Sequence, residues 1–249
     1  MLHAAPPFEG RAAQTVAALR AGAFGGAEDW RGIAGCIDRL FAVTTGPAET
    51  DAVHIVAHGT DATDALRRAA RTPWTVRSLT LIDPDIRMAL PELASGRAFD
   101  AARAMHQRFE AYRSEGDAWN AAREVVDHTM GQGAWQRTST AMQQRIAART
   151  GRLADAYAAQ AMTPLRRFDL AGIVCPTLVV TGRAAPADIR AVQRILVDWM
   201  PFARRLLIPQ AGTAAHMTDP HIAGPALREF LVRAERGWQD IPIDVAQAA

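Results

Sequence analysis

The sequence contains no lysine: all 28 of its basic residues are arginine. That bias most simply reflects GC-rich coding, although arginine also favours bidentate ion pairs. Charge of neither sign dominates, because the formal net charge is only +2. No arginine run is interleaved with aromatics to form a stacking surface, so nucleic acid is not an expected partner. Arg67, Arg68 and Arg71 gather on one predicted helix and read as a solvated face. Cysteine is scarce as well. Cys36 and Cys175 are too few for a disulfide framework, which fits a reduced, cytoplasmic setting. No run of 18 apolar residues occurs, and the first ten residues lack the basic and apolar regions of a secretory leader, so no membrane association is expected.

Cofactor signatures are also missing. Neither a P-loop nor a dinucleotide-type glycine fingerprint is present. The glycine-rich Gly22–Gly26 stretch follows a helical pattern instead of a strand, so it reads as a helix connection, and no cofactor is expected. Histidines at 3, 54, 58, 106, 128, 216 and 221 are scattered, and His54 and His58 fall on strand and turn instead of one helix face. No metal site is expected from that spacing.

What is present is an alternation of helix and strand patterns. The chain of 249 residues, 49% apolar, is long enough for one core with an insertion. Helical spacing marks residues 11–23 and 29–41. A short β-branched run at Val53–Val56 predicts a strand buried on both faces, followed by a helix from about Asp61 to Arg71 and a strand over Val76–Ile82. From Ala98 to Ala161 only alanine-rich helical stretches occur, broken at Gly116, Gly131 and Gly133. Strands are expected again at Pro176–Gly182 and Arg205–Ile208, with helices at Asp188–Trp199 and Pro220–Arg233. The expected organisation is an amino-terminal helical segment at 1–50, an α/β core from 51–95 and 165–240, a helical cap at 96–164 and a flexible tail at 241–249.

The turn Ala57-His58-Gly59-Thr60-Asp61, between strand and helix, resembles the G-x-S-x-G elbow of the α/β-hydrolase family, with Gly59 where the nucleophilic serine would stand. The likeness continues through Ile82-Asp83-Pro84, Pro176 to Gly182, and Pro209, Ala211, Gly212, His216 and Met217, with extra residues inserted before His216. The cap segment Gly131-Gln132-Gly133-Ala134-Trp135 is similar to one bacterial branch of that family. Resemblance covers about residues 50–235. It implies a truncated α/β-hydrolase-like fold with about four parallel strands and a helical cap.

The resemblance also assigns candidate residues. His216 falls at the position of the general base; the alternative is a residue packed under the cap. Asp83 stands where some branches carry the acid that orients this histidine, or it merely closes its strand. Thr60 offers a displaced hydroxyl and Asp61 a carboxylate, although both types commonly satisfy free N–H groups at a helix start. His58, beside Gly59, is commonly a structural residue in the family, with catalysis as the alternative; His58 and Gly59 are also candidate ligand-contacting residues. Trp119, Met130 and Trp135 of the cap, facing His216 and Met217, would line a pocket for a modest apolar ligand.

Glycine has no oxygen to form an acyl-enzyme. The 52 residues before Val53 contain no His-Gly turn after a strand, the family's second source of oxyanion hydrogen bonds. The expected function is therefore non-hydrolytic binding of a small apolar molecule or of a partner protein. The competing expectation is a hydrolase or lyase acting on a small ester or lactone, using His216 with water or Thr60. A strand at 53–56 without a neighbour on one side would present unpaired backbone groups, so a homodimer or a partner chain pairing there is expected.

Overall fold

The computed structural model describes residues 53–91 and 96–235. The helices expected at 11–23 and 29–41, Cys36, the glycine-rich connection and the tail at 241–249 lie outside them. Four strands, β1 (Val53–His58), β2 (Val76–Ile82), β3 (Thr177–Gly182) and β4 (Ala203–Ile208), form one sheet in sequence order. All three pairings are parallel, with Ile55 opposite Leu79, Leu79 opposite Thr177 and Thr177 opposite Ala203. Every residue of β3, and all of β2 but Arg77, is buried, as a parallel sheet covered on both faces requires.

Each crossover supplies a covering helix. Helix α1 (Ala62–Arg71) buries Ala62, Ala65, Leu66 and Ala69, the i, i+3, i+4, i+7 face of its amphipathic pattern. On the same side of the sheet, α8 (Ala187–Trp199) adds Ala191, Val192 and Leu196, and both helices join Leu79, Leu81 and Val179 in one core. The opposite face packs Val56, Ile82, Val180 and Leu206 against Ala223, Leu227, Phe230 and Leu231 of α10 (Pro220–Glu235). The architecture is thus three layered, with the sheet in the middle.

Between β2 and β3 the described residues form α2 (Asp100–Ser114), α3 (Ala118–Met130), α4 (Ala134–Arg137), α5 (Thr140–Ala147), α6 (Thr150–Met162) and α7 (Arg167–Ala171). Asp117 caps α3 by accepting the Asn120 N–H at 2.9 Å, and Gly131, at φ 94°, ends it. This insertion has apolar clusters of its own. One joins Met105, Phe109, Val125 and Tyr157, and another joins Val126, Trp135 and Ile146.

The insertion touches the segment that follows every strand. Gln160 donates its side-chain amide to the backbone oxygen of Thr60, after β1, at 3.5 Å and to that of Asp85, after β2, at 2.8 Å. His128 meets Asp188, after β3, at 3.2 Å, and Thr213, after β4, donates to the Thr129 carbonyl at 2.7 Å. Arg67 corrects the expectation of a solvated arginine face. Its guanidinium donates to the carbonyls of Ala159 (3.1 Å) and Thr163 at the carboxyl end of α6, where free carbonyls and the helix dipole attract a cation.

Candidate functional site

The turn after β1 has the shape of a nucleophile elbow. Gly59 sits at φ 60°, a left-handed conformation that glycine adopts without penalty, and opens a short 3-10 turn (Gly59–Asp61) leading into α1. A Cβ added at Gly59 would meet nothing within 4 Å. The space where a nucleophilic side chain would stand is therefore open. The Gly59 carbonyl accepts the Asp85 N–H at 2.9 Å, which ties the elbow to the end of β2.

Asp83 follows β2 directly and has φ 42°, a strained value for a residue with a side chain. It is held on both sides by backbone. Its N–H donates to the Val180 carbonyl at 2.8 Å, and its Oδ2 accepts the Ala214 N–H at 2.6 Å. Ala214, itself at φ 60°, introduces the short helix α9 (Ala215–Thr218) that carries His216. Gly182 makes this approach possible, because a Cβ there would run into the carbonyl oxygens of Ala211 and Gly212.

The end of β1, the residue after β2 and helix α9 bring His58, Asp83 and His216 together. Their ligating atoms all lie within 4.8 Å of one another, and the two imidazole rings are 5.1 Å apart at a tilt of 52°. Sequence distance concealed this. His58 and His216 looked scattered because only a parallel sheet, which gathers the loops after its strands at one edge, makes them neighbours.

Burial governs the electrostatics. Asp83 is pushed up to about 7 by burial, against the opposing pull of the Ala214 and Gly182 backbone donors. Burial lowers His58 to about 4. It also lowers His216, only 2% exposed, well below the usual imidazole range, and the nearby His58 adds to that. Both imidazoles are neutral near pH 7.

The other candidates fall elsewhere. Asp61 precedes α1 without a side-chain capping hydrogen bond, which corrects its reading as a helix-start donor partner, and burial plus the neighbouring Asp64 raises it to about 6. Thr60 meets the insertion through its backbone oxygen. Trp135, 4% exposed, packs in the insertion's own core with Val126 and Ile146, its ring 5.0 Å from that of Trp119. Trp119 and Met130 are exposed, at 41% and 43%. Met217 packs on the sheet face that α10 covers.

A second buried polar group escaped the sequence reading. Arg87, in the turn after β2, donates to Asp188 and to the Tyr157 hydroxyl, each at 2.8 Å, and lies 3.2 Å from Asp85. Tyr157 in turn donates to Asp85 at 2.9 Å. Although burial opposes the charge of Arg87, Asp85, Tyr157 and Asp188 outweigh it and raise the guanidinium. Burial likewise works to raise Asp188, but the His128 hydrogen bond and the Arg87 charge hold it below the usual carboxylate range. Asp188 therefore serves the contact with the insertion. The Asp-Pro-Asp run at 83–85, two carboxylates at a strand end, was the available signal.

No family model matches the chain, and no curated protein matches it in sequence. Solved structures do match. An α/β hydrolase from Sphaerobacter thermophilus is 24% identical, with a TM-score of 0.52, over 72% of this chain and 67% of that one. A hydrolase from Oleispira antarctica is 17% identical, with a TM-score of 0.57, over 73% and 65%. An enol-lactonase from Burkholderia xenovorans is 18% identical, with a TM-score of 0.50, over 78% and 70%. The chain thus spans about two thirds of the length of these structures. The fold is that of the α/β hydrolases.

Proposed function

We propose that the protein binds a small apolar molecule without hydrolysing it, in the space between the strand ends and the covering helices. The observation that carries this reading is Gly59. The elbow backbone is kept at φ 60° while the position of the attacking oxygen is empty space. Acyl transfer through an enzyme ester needs an activated oxygen at that point. A concave region at the carboxyl ends of parallel strands is where ligands bind in open α/β sheets.

A second reading, hydrolysis or elimination on a small ester or lactone, is favoured by one feature, the neutral His216 close to Asp83. In it the imidazole takes a proton from water or from Thr60, and the oxygen so activated attacks the carbonyl. Intact-mass measurement after fluorophosphonate treatment separates the two for Thr60. The chain is expected to stay unmodified, and a stoichiometric adduct overturns the first reading. A thermal-shift screen of small esters, lactones and acids, run with chelator present, is expected to show stabilisation by an apolar compound recovered unchanged; recovery of its hydrolysed product would favour the second.

A further inference from the structure

Beyond ligand binding, we propose that His58, Asp83 and His216 bind one divalent transition-metal ion of the zinc or ferrous type, with an open coordination position beside Gly59. Two imidazoles and a carboxylate are the donor set that such ions take when they keep a site free for water or substrate. The three ligating groups already lie within 4.8 Å of one another. Around an ion with bonds of about 2.0 to 2.2 Å, tetrahedral ligand atoms stand roughly 3.3 Å apart. Closing the site therefore takes a contraction of about 1.5 Å at most.

Asp83 gives an independent indication. Its Oδ2 is oriented by the Ala214 N–H, whereas its buried Oδ1 has no hydrogen-bond partner among the described residues. A carboxylate with one oxygen aligned by backbone and the other turned to a cation is the usual second support of a metal ligand. Burying an acceptor without a partner costs free energy, and a dication beside Oδ1 would remove that cost. His58 is the last residue of β1, Asp83 directly follows β2 and His216 lies in α9, so two of the three donors are placed by the sheet itself. The space left by Gly59, directly after His58, has room for the water or ligand atom that completes the coordination.

The test uses the untagged full chain, dialysed against chelator and then titrated with zinc chloride or cobalt chloride alone. The expected result is one zinc retained per chain after gel filtration, and a visible cobalt spectrum of the intense four-coordinate kind. His58→Gln and His216→Gln should each weaken binding by about 100-fold or more, since even residues that only support a ligand change affinity by about 10- to 100-fold. His221→Gln, on an exposed residue, should change nothing. Zinc should raise the melting temperature of the native chain but not that of His58→Gln, the milder variant because His58 is half-buried. Absence of stoichiometric binding, or binding that survives in both variants, overturns the proposal. Either result leaves the ligand-binding reading intact, because that screen is run with the metal removed.

Discussion

Arg87 and Asp188 meet at 2.8 Å although 101 residues separate them, and both are buried. This pair, with Asp85, Tyr157 and His128, joins the sheet to its helical insertion through charge where apolar packing would be the commoner means. Removing one member leaves its partners charged and dry. Arg87→Ala is expected to destabilise the protein by about 3 to 5 kcal/mol, the usual consequence of orphaning a buried ion pair. Arg87→Met together with Asp188→Leu should recover part of that loss. Chemical denaturation of the three proteins checks it.

Two glycines should respond differently to the same methyl group. At Gly59 the added Cβ meets open space, so Gly59→Ala carries only the strain of a positive φ, about 1 to 2 kcal/mol. At Gly182 it collides with the backbone oxygens of Ala211 and Gly212, and the loop bearing Ala214 must move away from Asp83. Gly182→Ala should be the more damaging in thermal melts and should also abolish stabilisation by any ligand.

The acid limb of stability belongs to the histidines. His58 has a native value of about 4 against 6.5 when unfolded, so the unfolded chain binds the extra proton and stability falls as pH drops from 6.5 towards 4. His216 acts in the same direction. Asp83 acts oppositely. Its native value of about 7 exceeds 3.8, so its contribution declines as pH rises from about 4 through 7. Each proton contributes a slope of up to about 1.4 kcal/mol per pH unit. Melting temperatures across pH 4 to 8 should show a shallower acid limb in His58→Gln and a steeper one in Asp83→Asn.

Trp135→Ala should lower stability by about 3 to 5 kcal/mol, as expected for emptying an aromatic position in a packed core. Trp119→Ala should cost distinctly less, because that ring is 41% exposed. If only Trp119 and Met130 reach a bound molecule, fluorescence quenching on ligand addition should persist in Trp135→Phe and vanish in Trp119→Phe.

The outer edge of β1 has no strand neighbour among the described residues, and an uncovered edge is where association is expected. Sedimentation at micromolar concentration is expected to show a dimer or a complex. A soluble monodisperse monomer would remove the homodimer.

The elements of the sheet were legible because their signals are local. The strand expected at Val76–Ile82 has those bounds, and those expected at Pro176–Gly182 and Arg205–Ile208 differ by one or two residues at their starts. Chain reversals were legible too, since Gly116 and Gly131 fall just after α2 and at the end of α3. Pairings across the fold were not. Whether His216 faces His58, or Arg67 reaches Thr163, depends on how loops from distant strands converge, and no periodicity encodes it. Asp61 shows the reverse error: a residue of capping type at a helix start whose side chain makes no cap.

Gln160, His128, Thr213 and Arg67 fasten the insertion to the segments that follow all four strands and to α1. Anything that reaches the space beside Gly59 by lifting the insertion must release several of these bonds together. Entry and exit would then share one opening step, and observed binding rates would level off with rising concentration of the molecule that enters. Slow exchange could coexist with modest affinity, and loosening Arg67 alone should speed both directions while leaving their ratio nearly unchanged.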